Sequence, residues 1–101
     1  MDYKTLEQWP TSATVSLQGY IDIDYDKLVD KLGEPDDGDG EKVDAQWLVE
    51  FEDKTFAVIY NYKDGVNYNG TSGLRVGEIT DWHIGGSNQT AVTRVHELFG
   101  V

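Results

Sequence analysis

Histidine is the usual general base near neutrality, and this sequence has two of them, His83 and His96. His83 stands in Asp81-Trp-His-Ile-Gly-Gly86, where Asp81 would orient the imidazole for hydrolysis and a following helix N-terminus would offer N–H groups to an anion. The competing structural role is a tight turn with Trp82 and Ile84 in the core. His96, in Arg94-Val-His-Glu97, reads as a solvated or rim residue near the end of a helix. No cysteine is present, which removes thiolate nucleophiles, disulfides and Cys-ligated zinc.

The 19 Asp and Glu residues make close carboxylate pairs expected from density alone, so no glycosidase-like dyad is singled out. Two stretches alternate oxygen ligands, Asp22-x-Asp24-x-Asp26 and Asp37-Gly-Asp39-Gly-Glu41. Neither fits the EF-hand loop, since its glycine position falls on Lys27 or Lys42, and no metal or cofactor is expected. The glycine-rich run Asn69 to Gly77 lacks both the P-loop ending and the dinucleotide-fold spacing. An alternative ligand site is a pocket between Tyr60, Tyr62, Trp82 and the glycine-rich loop, with His83 beside it, that sequesters a nucleotide, with Arg75 and Arg94 as phosphate partners.

Charge is the most unusual property. The formal charge is −11, and residues 22 to 53 alone carry a net −10. Direct nucleic-acid binding and anionic membrane surfaces are therefore excluded as defaults. Asp22 and Asp24 would lie about 6.7 Å apart on one strand face, and Asp26 and Asp30 about 6 Å apart on a helix. Such gaps are about twice the 3.4 Å rise per charge on one DNA strand, so a row of carboxylates presents a DNA-like run of anionic points. With Asp36, Asp37, Asp39 and Glu41 in the next loop, this band is the leading candidate for binding a partner.

Those residues need elements to hold them. Val15, Leu17, Ile21 and Ile23 alternate over residues 13 to 23 as a half-buried strand with a bulge at Gly19. Tyr25, Leu28, Val29 and Leu32 then follow a helical period, with Asp24 as N-cap and Gly33 and Pro35 as the stop. Residues 34 to 42 read as a flexible loop with no apolar anchor. Residues 45–53 and 55–62 form a hairpin, Val66–Tyr68 a further short strand, and residues 78–84 another that Gly85-Gly86 ends. Ser87 or Asn88 caps a last helix through Ala91, Val92, Val95, Leu98 and Phe99, which Gly100 terminates. The expected fold is a single α+β domain over residues 1–101, in the order β-α-β-β-β-β-α. It has one antiparallel sheet of four to five strands with two helices on one face.

The amino terminus carries no cationic segment followed by an apolar run, and the chain is expected to be cytoplasmic. The run Leu32-Gly-Glu-Pro35, the hairpin motifs Trp47 to Asp53 and Ala57 to Gly65, and Asp81 to Gly86 resemble segments of small acidic, mostly uncharacterised bacteriophage accessory proteins. That resemblance implies a non-enzymatic inhibitor, of anti-CRISPR or other anti-defence type, that presents a DNA-mimic surface to a basic host protein. A nucleotide-sequestering module is the alternative, and a hydrolase using His83 the third.

Overall fold

The computed structural model describes residues 2–10 and 13–101. Five strands form one sheet: β1 (Tyr3–Leu6), β2 (Ser16–Asp22), β3 (Gln46–Phe51), β4 (Phe56–Tyr60) and β5 (Asp81–Gly86). Their spatial order is β1-β3-β4-β5-β2, and every neighbouring pair is antiparallel. Helices α1 (Tyr25–Leu32) and α3 (Thr90–Phe99) join the same side of the sheet, and α2 (Val66–Asn69) is a single turn between β4 and β5. This is the α+β architecture expected from the sequence, with the 13–23 strand shortened to Ser16–Asp22 and a register shift at Leu17/Gly19.

The period of two sorts each strand. Trp47, Val49 and Phe51, Ala57 and Ile59, Trp82 and Ile84, and Ile21 face the helices, which contribute Leu28, Leu32, Ala91 and Val95 to one buried cluster. Three aromatic rings lock α1 to the sheet: Trp47 lies 5.3 Å from Trp82 and 5.9 Å from Tyr25. Both indole N–H groups are satisfied, Trp47 Nε1 donating to the Gly33 carbonyl (2.8 Å) and Trp82 Nε1 to those of Ile23 (3.1 Å) and Ile79 (3.2 Å). Gly33 takes φ +82°, where a side chain would be strained.

Three local expectations are corrected, and the expected cap of α1 is found in place. Val66–Tyr68 is helical: the Asn67 N–H donates to the Asp44 carboxylate (3.0 Å), the Asn69 N–H closes the turn on the Gly65 carbonyl (3.1 Å), and pairing with Leu74 is limited to a single bridge at Gly65. The fifth strand is instead Tyr3–Leu6, whose four residues are held by pairing with Leu48–Phe51 more than by any pattern of their own. Gly85 and Gly86 continue β5: a Cβ on Gly86 would come within 2.5 Å of the Ala91 Cβ, so the missing side chain lets α3 sit against the strand. Asp24 occupies the cap position of α1 without a side-chain cap bond, whereas the Asn88 Oδ1 does accept the Thr90 N–H at the start of α3 (2.9 Å).

Asn61, directly after β4, is the one fully buried polar side chain among the described residues. Its Oδ1 accepts the N–H groups of Asp44 (2.7 Å) and Ala45 (3.1 Å). Its Nδ2 donates to the carboxylates of Asp44 and Asp64, both at 2.9 Å. Asp44 also accepts the Asn67 N–H (3.0 Å), and Gly65 lies so close that a Cβ there would collide with the Asp44 carboxylate. Four hydrogen bonds use the full capacity of the Asn61 NH₂ group and both lone pairs of its oxygen. Asn61→Ala strands two backbone N–H groups at about 1–3 kcal/mol each, so urea unfolding should show a loss of about 3 kcal/mol.

Candidate functional site

The face of the sheet turned away from α1 and α3 is organised in rows, because residues in register share a face. One row reads Gln46, Tyr60, His83, Tyr20 across β3, β4, β5 and β2. The next, toward β1, reads Leu6, Leu48, Val58, Gly85, Leu17. On the other side, Asp22 stands directly opposite Asp81. The apolar row is partly roofed: Trp9 packs on Phe56 at 5.7 Å, and Trp9, Val15, Leu17, Val43, Val58 and Tyr60 line a cavity of about 250 Å³. The aromatic row is left open.

His83 is at the centre of that open part. Its ring lies 4.9 Å from Tyr20, 5.3 Å from Tyr60 and 5.7 Å from Tyr62. Tyr20 is 55% and Tyr62 41% exposed, so both rings reach the solvent. Burial pushes the Tyr60 phenol above its ordinary value, aided by the neighbouring Tyr20 and Tyr62, which keeps it neutral. On the far side of Tyr62, Lys63 Nζ sits 5.3 Å from the ring centroids of both Tyr62 and Tyr68, a cation over two aromatic faces. The expectation of a tight turn for His83 is replaced by a strand position. Among the described residues its ring makes no hydrogen bond to a carboxylate, the contact that would orient a general base.

The structure divides the alternative ligand set. Tyr60, Tyr62 and His83 come together, but Trp82 faces the opposite way into the core with no exposure. Arg94, on α3, is held by Asp53 (2.8 Å) and Glu97 (2.7 Å), and hydrogen bonds from Thr55, then from Arg94, draw the Asp53 carboxyl down to about 2. Arg75 opens the 3-10 turn Val76–Glu78, where its backbone N–H donates to Glu78 (3.0 Å). The six residues therefore do not form one pocket. His96 bridges two carbonyls, with Nδ1 2.8 Å from Val101 O and Nε2 3.0 Å from Tyr20 O, so it ties α3 to β2.

All eight acidic candidates are exposed: Asp22, Asp24, Asp26, Asp30, Asp36, Asp37, Asp39 and Glu41. Among the described residues, none of them forms an ion pair. Only Asp39 has its carboxylate engaged: Oδ1 accepts the N–H groups of Glu41 (2.9 Å), Lys42 (2.9 Å) and Val43 (3.0 Å). The loop is thus fastened, contrary to the expectation, by Asp39, by the paired backbones of Asp36 and Gln46 (2.8 and 3.0 Å), and by Val43, which is buried. Asp81, which the acidic band did not include, belongs with Asp22; its alternation with Trp82 in Asp81-Trp-His was the signal. Like charges directly opposite one another cost a few tenths to about 1 kcal/mol, a strain with no return in the fold. Among the described residues, no group of three or more His, Asp or Glu side chains is placed to hold a metal, and no helix is long and apolar enough to cross a membrane.

No protein-family model, curated protein or solved structure matches this chain.

The backbone N–H bonds to Asp39 hold its carboxyl below the ordinary carboxylate range. Because the folded value is the lowered one, the fastening is complete above the ordinary range and is lost as pH falls through the folded value. Amide resonances of Glu41, Lys42 and Val43 should shift together in that acid window. In Asp39→Ala they should exchange faster with solvent at neutral pH, while those of β3 are unchanged.

Proposed function

We propose that this protein is a non-enzymatic, protein-binding inhibitor of bacteriophage type. Its acidic surface docks on a basic nucleic-acid-binding or defence protein of the host cytoplasm, at the place where DNA would lie. The observation that supports this reading is the set of uncommitted carboxylates. Asp22, Asp24, Asp26, Asp30, Asp36, Asp37 and Glu41 are exposed, with no ion pair or side-chain hydrogen bond among the described residues. The fold makes no use of them, and Asp22 opposite Asp81 opposes it. Charges retained at a cost to stability are the kind that binding selects for. Of the two arginines offered as phosphate contacts of a nucleotide site, Arg94 is neutralised by its own Asp53 and Glu97, which weighs against an anionic ligand there.

The test is capture from a bacterial lysate by the tagged protein at low and high salt, beside a variant with Asp22, Asp24, Asp26 and Asp30 changed to Asn. The proposal expects a basic DNA-binding protein that is released by salt, displaced by added duplex DNA, and missed by the variant. Capture that is indifferent to salt, to DNA and to the four substitutions would contradict it.

A further inference from the structure

An acidic rim steers and selects, but it rarely supplies affinity; the energetic centre of an interface is usually a small group of desolvated Tyr, Trp or Arg side chains. The acidic band supplies no such group. The open sheet face does: Tyr20, Tyr60 and Tyr62 surround His83, and Asp22 and Asp81 lie one row away on the same strands as Tyr20 and His83, about 6.7 Å along.

We propose that this aromatic face is the centre of the docking surface and that it receives an arginine-bearing basic segment of the protein partner. This deepens the acidic-surface reading and rests on it. Two features specify arginine. The flat guanidinium stacks on exposed tyrosine faces and, unlike an ammonium, also presents paired N–H groups to adjacent carboxylates, here Asp22 and Asp81. The rings already attract a cation within the molecule, since Lys63 Nζ lies 5.3 Å from the centroids of Tyr62 and Tyr68. Tyr20 and Tyr62 are 55% and 41% exposed, so each keeps ring surface that a partner can cover. The charge of −11 disfavours a second copy of this chain as the occupant, and the two flanking carboxylates disfavour a nucleotide phosphate.

The probes are a nine-residue arginine peptide and a nine-residue lysine peptide, titrated into the isotopically labelled full-length chain at low salt, with amide and aromatic shifts mapped. The expected result is shifts at Tyr20, Tyr60, Tyr62, His83, Asp22 and Asp81, with arginine binding about fivefold tighter than lysine. Tyr20→Ser with Tyr62→Ser should erase that preference and keep the folded spectrum, both side chains being exposed. Asp22→Asn with Asp81→Asn should weaken both peptides. Shifts confined to α1 and residues 36–41, with arginine and lysine equal, would overturn this inference and leave the acidic-surface reading standing. Failure of both peptides to bind would overturn this inference and the acidic-surface reading together. Concentration-dependent dimerisation abolished by Tyr20→Ser would assign the face to a second copy and overturn the arginine assignment.

Discussion

The Asn61 carboxamide is buried where β4 ends, and it accepts the backbone N–H groups that lead into β3 while donating to Asp44 and Asp64 on either side. A buried amide with a missing partner would cost more than any one of these bonds contributes, so the network is all-or-nothing. That requirement fixes the entry to β3 against the exit from β4, and with it the register that sets Gln46 beside Tyr60 and Tyr60 beside His83. It also places Gly65 against Asp44 too closely for any side chain, and turns the following residues into α2. The geometry of the open face is thus set from a point one residue beyond Tyr60.

The two faces of the sheet follow different rules. Toward the helices every position is filled: Trp82, Ile84, Ile59 and Val49 are buried, and Gly86 is where it is because α3 approaches the backbone. Such residues are explained by packing and ask for no function. On the other face, half of the sheet is roofed by Trp9, Val15 and Val43, while Tyr20, Tyr62, Asp22 and Asp81 stand exposed. Packing does not account for two exposed tyrosines and a pair of facing aspartates. These four side chains stand exempt from the fold, and they are the ones we propose a partner covers.

Much of the framework was legible in the sequence. The alternation of Trp47, Val49 and Phe51, the helical spacing of Leu28 and Leu32, and Gly33 and Gly100 as stops each carry a local signal strong enough to survive folding. Tyr3–Leu6 was not legible, because a four-residue edge strand is created by its neighbour. Val66–Tyr68 misled because strand-forming residues follow a turn signal, yet Asn61, Asp44 and Gly65 override that preference from elsewhere in the chain. The acidic residues could be read as exposed, but the fastening role of Asp39 depends on a loop conformation that composition does not encode. The aromatic set is legible in part: Tyr60, Tyr62 and His83 can be placed near one another from the sequence, and their rings do come together. Trp82, beside His83 in the chain, takes the opposite face, Arg94 and Arg75 can be offered as phosphate partners only by their chemistry, and Tyr20 arrives only through the pairing of β2 with β5.

The claim that the open face is exempt from the fold is tested most directly by replacing all four side chains together, as Tyr20→Ser, Tyr62→Ser, Asp22→Asn and Asp81→Asn, and measuring urea unfolding. The account predicts a cooperative transition with stability within about 1 kcal/mol of the parent, since lost ring contacts are offset by relief of the facing carboxylates. A loss of about 3 kcal/mol, or of cooperativity itself, would show that these side chains hold the sheet together and would contradict it.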